Sequence, residues 1–146
     1  MKFLVDTNVV SEWVKPRPDG GVVAWMNEVD EDRVFISVIS LAELRHGVER
    51  MPSGTQRRRL DEWLKEELPL RFEGRVLLID RVVAEAWGTI VARCERAGRP
   101  ISTIDGFIAA TADAHQLVLV TRNVSDFEFS VKEIVNPWLG SSSNTP

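Results

Sequence analysis

The feature that most constrains this chain is a set of short apolar runs that do not alternate with polar residues. They are Phe3 to Val5, Val34-Phe35-Ile36, Val76-Leu77-Leu78-Ile79, Leu117 to Val120 and Glu133-Ile134-Val135. A strand with one face in water alternates apolar and polar residues, because successive side chains point to opposite faces. A run without alternation has both faces covered, as in a parallel sheet between two layers of helices. The first run ends at Asp6, the third at Asp80, the fourth at Thr121, and the fifth is closed by Asn136-Pro137.

Between the runs the apolar period becomes helical. Val22, Val23, Trp25, Met26 and Val29 form a stripe after Pro-Asp-Gly-Gly. Leu41, Leu44 and Val48 form another, with Ser40 as its expected N-cap. Residues 55–68 give a charged helix with Leu60, Trp63, Leu64 and Leu68 on one side and Pro69 just past its end. Residues 81–97 give a helix closed by Gly98, and 103–115 a compact, Ala-rich one. Strands alternating with helices predict an α/β fold, a three-layer α/β/α sandwich around a mostly parallel sheet of four to five strands. At 146 residues the chain is one domain, expected over 1–140, with a flexible polar tail over 141–146. With 44% hydrophobic and 27% charged residues it is not a disordered chain. The single cysteine, Cys94, excludes an intrachain disulfide. No apolar stretch approaches the roughly 20 residues of a membrane span, and the amino-terminal run is too short for a signal peptide. The expectation is a soluble cytoplasmic protein with no membrane contact.

With 22 acidic residues, an acid means little except by position. Ligands of open α/β sheets bind outside the carboxyl ends of the strands. Asp6, with Thr7 and Asn8 after it, stands at such an end, and Asp126 follows the fourth run by the loop Arg122-Asn123-Val124-Ser125. Asp105 opens the Ala-rich helix, where Ala109 and Ala112 permit close packing. Glu43 lies early in the helix after the second run, with Gly47 four residues on as a second point of close approach. Each acid also has a local explanation: Asp6 as an N-cap, Asp105 as the last residue of a Ser102 capping box, Glu43 as a solvated helix residue, Asp126 as a turn former. Four acids in one pocket would raise a pKa or recruit a cation. With only His46, His115 and Cys94 as softer ligands, that cation would be a hard, oxygen-preferring ion such as Mg²⁺ or Mn²⁺ and not zinc. The net charge of −4 means that a nucleic-acid substrate would need cations or local Arg residues. Arg45, Arg50, Arg57 to Arg59 and Arg122 are the candidates, with Arg45 and Arg122 foremost; the 57–59 run equally suits a solvated face. Trp25, Trp63 and Trp87 fall on apolar stripes, and Trp13 is the candidate for meeting a partner.

The segments FLVDTNVVSEW, VISLAELRHGVE, ISTIDGFIAATA and LVLVTRNVSDF, in this order and spacing, resemble the PIN domain. They are most similar to VapC-type toxins of toxin–antitoxin pairs, in their FitB-like branch, from about Met1 to Pro137. The resemblance carries the family's acids onto Asp6, Glu43, Asp105 and Asp126, and its polar residue after the fourth strand onto Thr121, with Asn123 and Asn8 in support. It implies a Mg²⁺-dependent endoribonuclease that cleaves tRNA or rRNA and stops translation. It further implies a homodimer, a cognate antitoxin that enters the acidic pocket, a possible higher toxin–antitoxin assembly, and operator DNA bound only through the antitoxin. In the expected mechanism Asp6 and Asp105 hold the ion, Glu43 and Asp126 complete the pocket, and Thr121 and Asn123 hydrogen-bond a water or phosphate oxygen. Two other readings stay open. One is a haloacid-dehalogenase-like phosphatase using Asp6, although Asn8 stands where its second Asp belongs. The other is a non-catalytic PIN-like module that binds an antitoxin and takes part in operator regulation.

Overall fold

A computed structural model describes residues 1–139. The tail expected over 141–146, and the expected domain end at Gly140, lie outside the described residues. Five strands, β1 (Phe3–Val5), β2 (Val34–Ser37), β3 (Val76–Leu77), β4 (Val118–Val120) and β5 (Ile134–Val135), form one sheet in the order β3-β2-β1-β4-β5. Every pairing is parallel, as the unbroken apolar runs predict. The helices are α1 (Thr7–Trp13), α2 (Gly20–Glu28), α3 (Val38–Arg50), α4 (Thr55–Glu62), α5 (Leu68–Arg71), α6 (Arg81–Arg96), α7 (Thr103–His115) and α8 (Val124–Phe127).

The strands are too short to be held by propensity, so burial on both faces holds them. Leu4 and Leu119 point into a core with α6, α7 and Phe127. Val5, Val34, Ile36 and Val120 point into a second core with α1, α2, α3, Leu64, Leu68 and Phe72. Each fully buried aliphatic side chain contributes roughly 1.5–3 kcal/mol. These two cores are the interfaces between the central sheet and the two helix layers of the expected sandwich. From β1 the chain builds outward to β2 and β3, then returns to lay β4 on the other side of β1. The direction of winding therefore reverses between β1 and β4, and a crevice opens there at the carboxyl ends of the strands.

Four expectations need correction. β3 stops at Leu77, and Leu78 is 65% exposed, because β3 is an edge strand with less to cover it. The cap of α3 is Ser37, whose hydroxyl accepts from the Ile39 N–H at 3.0 Å; Ser40 is buried one turn inside. β2 runs into α3 without a loop, so the cap falls on the last strand residue. The helix expected to end before Pro69 continues to Arg71 through a π-helical segment, Trp63–Glu67. There the Leu68 N–H bonds the Trp63 carbonyl five residues back, and this wider turn accommodates a proline that cannot donate. Gly47 makes no close approach, for a Cβ built there meets nothing within 4 Å. Close contacts occur instead at Gly21, where a Cβ would run into the Pro137 carbonyl oxygen, and at Gly106 of the Ala-rich helix, where it would lie 2.7 Å from Trp87 Nε1.

Candidate active site

Asp6 is the first residue beyond β1. Its backbone N–H donates to the Val120 carbonyl at 2.9 Å, so the β1–β4 ladder itself sets it beside Thr121. Its side chain is 5% exposed. Oδ1 accepts from the Thr7 N–H at 2.8 Å, and Oδ2 accepts from the Thr121 hydroxyl at 2.8 Å and the Asn8 amide at 3.4 Å. Asp6 thus caps α1, as its local reading allowed, but the longer-range bond to Thr121 has no part in capping. Burial pushes its carboxyl up from the ordinary 3.8 to about 6. The Thr121 and Thr7 donors pull it back down, while the charges of Glu43 and Asp105 push it further up.

Glu43 projects from the second turn of α3. The Thr7 hydroxyl donates to its Oε1 at 2.6 Å and lies 2.8 Å from the buried Ser40 hydroxyl. Asp105 sits in the first turn of α7, where its backbone N–H donates to the Ser102 hydroxyl at 3.1 Å, one half of the capping box. Half-burial, then the neighbouring Asp126 and Glu43, raise the Asp105 carboxyl, with the Ser102 hydroxyl acting against them. The placement of α7 depends on Gly106, which lets this helix close onto Trp87 and Val91 of α6.

Asp6, Glu43 and Asp105 line one cleft of about 370 Å³, together with Thr7, Asn8, Asn123 and Arg122. Asp126 does not join them. It is exposed on α8 and lines a neighbouring cleft of about 390 Å³, to which Asp105 is common. Among the described residues, no three His, Cys, Asp or Glu form a group that could hold a metal ion by themselves. Asp6, Glu43 and Asp105 thus share one cleft, and Asp126 stands at the adjoining one, where its charge acts on Asp105. The available donors in the cleft are carboxylate and other oxygens, the set preferred by a hard cation.

Thr121 is fully buried, and its hydroxyl serves the Asp6 carboxylate instead of facing the cleft. Asn8 donates to Thr121 Oγ1 at 3.2 Å, and its Oδ1 accepts from the Arg122 N–H at 3.3 Å. Asn123 is exposed, and its backbone N–H bonds Thr121 Oγ1 at 3.1 Å. Arg122 lies over the Trp138 ring at 5.3 Å. Arg45 points elsewhere: it pairs with Asp61 at 2.7 Å and Glu49 at 3.3 Å and does not line the acidic cleft. Trp25, Trp63 and Trp87 pack against the two cores, as their stripes predict.

Residues 3–128 match the PIN domain. The chain belongs to the PIN-domain family. It is 38% identical to VapC ribonuclease Y4jK of Sinorhizobium fredii over 136 residues, covering 93% of this chain and 97% of that protein. It is likewise 38% identical to Toxin FitB of Neisseria gonorrhoeae, covering 93% and 98%. The fold is similar to that in a structure of FitAB bound to an IR36 DNA fragment, with a TM-score of 0.87 at 35% identity, over 93% of this chain and 95% of that one. The order of the four quoted segments is thus a PIN-domain order, and the sheet described above is a PIN-domain sheet.

Four residues of this PIN-domain site escaped the sequence reading: Ser11, Glu12, Lys15 and Trp138 all line the acidic cleft. The first three follow Thr7 and Asn8 at helical spacing of four. That spacing would have found Ser11 and Glu12 had Thr7–Trp13 been read as a helix, and Lys15 as the next step just past its end. Val9, Val10 and Trp13 are its apolar residues, a stripe of a single turn and too short to announce a helix.

Proposed function

We propose that this PIN-domain protein is a metal-dependent endoribonuclease, the toxin of a toxin–antitoxin pair, which hydrolyses phosphodiesters of tRNA or rRNA and so stops translation. The observation that carries the reading is the Asp6 carboxylate, buried at the β1–β4 switch point against its own charge, with Glu43 and Asp105 facing it across one cleft. A purely structural carboxylate gains nothing from two like charges. A site for a divalent cation and a phosphodiester does.

The residues fit Mg²⁺ or Mn²⁺. Such an ion needs only one or two carboxylates, the remaining positions going to water and substrate phosphate, so Asp6 with Asp105 or Glu43 suffices. A cation held there by Asp6 with Asp105 or Glu43 would supply charge neutralisation and Lewis-acid activation for phosphodiester hydrolysis. The chain's own groups hold this arrangement. Thr121 and the Thr7 N–H fix the plane of the Asp6 carboxylate. The Thr7 hydroxyl fixes Glu43, and the start of α7 fixes Asp105. Glu43 and Asp105, half-buried beside solvent, are placed to accept the proton of an attacking water. Asp126 acts through Asp105, whose proton affinity it raises. Arg122 is the basic side chain of the original candidates that reaches this cleft.

A groove of about 1180 Å³ lined by Trp13, Leu44, Val48, Leu60, Trp63 and Leu70 adjoins the acidic cleft, and Thr7, Ser11, Lys15 and Glu43 line both. Its apolar wall supports an antitoxin segment lying in the groove and reaching the acids, with Trp13 as a contact. The likeness to FitAB on DNA supports operator binding through that partner. Trp87 and Phe107, stacked at 5.3 Å beside exposed Ile104, support a second copy as homodimer partner. Among the described residues no helix is long and apolar enough to cross a membrane, and the proposed substrates place the activity in the cytoplasm. The phosphatase reading loses ground, since Asn8 donates an amide hydrogen to Asp6 where a second acid would be required.

The test is cleavage of a defined tRNA pool by the purified chain with Mn²⁺ or Mg²⁺ and with EDTA, beside Asp6→Asn and Asp105→Asn. Metal-dependent cleavage lost in both variants is expected. Cleavage that persists in both removes the mechanism, and absence of cleavage together with absence of metal binding favours the non-catalytic module.

A further inference from the structure

Three carboxylates are a poor surface for RNA, which carries a negative charge at every nucleotide. The cleft answers this with two cations, Lys15 and Arg122, and Lys15 is anchored in an unusual way. Its partner Glu12 is only 8% exposed. Glu12 Oε1 accepts from Lys15 Nζ at 2.9 Å, and Oε2 accepts from the Asp19 N–H at 2.9 Å, where α2 is about to begin. These two donors hold the Glu12 carboxyl below the usual range, with the Arg122 charge acting in the same direction. The Lys15 side chain itself stays 58% exposed.

Stability alone does not account for this pair. An ion pair between residues three apart at a helix end contributes at most about 1 kcal/mol, and a Glu left in water would avoid desolvation altogether. Both oxygens of Glu12 are used, so the carboxylate has one orientation, and it fixes the ammonium at the wall common to the acidic cleft and the apolar groove. A lysine held in place but exposed presents free N–H donors to an anion. Phosphate contacts of this kind set the register of a nucleic acid without reading its sequence.

We infer that Lys15 binds a backbone phosphate flanking the scissile bond and that Glu12 is its positioning residue. The inference rests on the ribonuclease reading for the identity of the ligand. The site so formed comprises Lys15 Nζ and the Arg122 guanidinium, backed by Trp138, in the same cleft and both acting on the Glu12 carboxylate. It takes the strand as it leaves Asp6, and the phosphodiester backbone is its ligand irrespective of base.

The experiment measures binding of a fluorescein-labelled single-stranded RNA to the full chain by anisotropy in EDTA across a KCl series, then kcat and KM with Mn²⁺. Lys15→Gln is expected to weaken binding about tenfold at low salt. It should also flatten the slope of log K against log [KCl] by about 0.7, the loss of one phosphate contact on a single strand. Its kinetic loss should fall on KM more than on kcat, and Lys15→Arg should restore most of it. Glu12→Gln keeps the charge of Lys15 but frees the side chain, so the slope is kept while KM rises. A Lys15→Gln chain that folds, with the slope and KM of the unaltered chain, overturns the inference, as does an unaltered chain whose RNA binding does not respond to salt. An unaltered chain that binds with the expected slopes yet never cleaves removes the nuclease reading and leaves the phosphate site standing.

Discussion

Replacing Asp6 with Asn should make the protein more stable at neutral pH while abolishing its activity. The folded carboxyl titrates at about 6 and the ordinary one at 3.8. Between those values the folded chain holds a proton that the unfolded chain has released. The associated stability is therefore complete below about pH 4 and is lost as pH rises through 6. A gap of roughly two pH units at 1.36 kcal/mol each is about 3 kcal/mol. The side chain is almost fully buried, so little of this is screened by solvent. An Asn keeps an oxygen for the Thr7 N–H but turns an amide NH₂ toward the Thr121 and Asn8 donors, which costs about 1 kcal/mol. The net gain at pH 7.5 is about 2 kcal/mol, or about 4–8 °C in Tm for a chain of this size. Thermal unfolding followed by circular dichroism from pH 4 to 8, without divalent cations, should show the two proteins crossing between about pH 4 and 5. An Asn variant less stable at every pH, or one offset by a constant amount, would refute the account of Asp6 as a buried, uncompensated charge.

Thr121→Val removes the hydroxyl that orients Asp6 and accepts from Asn8 and Asn123. It should cost about 1–3 kcal/mol in a urea titration. It should also move the acid limb of the pH–rate profile upward, because the Thr121 donor lowers the Asp6 carboxyl. Gly106→Ala forces a Cβ to within 2.7 Å of Trp87 Nε1 and 3.1 Å of Val91 Cγ2, and should destabilise by about 1–3 kcal/mol. Gly47→Ala, with nothing within 4 Å of its Cβ, should instead stabilise α3 by about 0.5–1 kcal/mol in the same urea assay.

How far the sequence revealed this molecule follows from what each signal depends on. Strands buried on both faces leave an unbroken apolar run, and Phe3–Val5 and Val34–Phe35–Ile36 were legible for that reason. Edge strands lack cover on one side, and the run at Val76 could not disclose that its last two residues lie outside the sheet. Pro69 was misleading because its meaning depends on the turn before it, and a π-helical register is not written in any single residue. Gly47 and Gly106 have the same residue type in the same kind of helix. Only the position of Trp87, from another element, decides which of them is a point of close approach.

The acids divide along the same line. Asp6 was found because the end of a buried strand is a place in the fold as well as in the sequence. Asp126 was grouped with it on local evidence, and α8 sets it beside Asp105, the residue common to the two adjoining clefts. Thr121 was expected to meet substrate and is fully buried. A hydroxyl buried behind the cleft still controls the chemistry, since it sets the direction and the proton affinity of the carboxylate that burial has made costly to ionise. The cost of ionising Asp6 is also what gives the site its use. A cation or a phosphate with its counter-ion is bound more tightly where it relieves a repulsion already present in the fold. The charge that weakens the resting protein is, by this reasoning, the same charge that selects its ligand, and the stability gain predicted for Asp6→Asn and the loss of activity in that variant are two measurements of one electrostatic term.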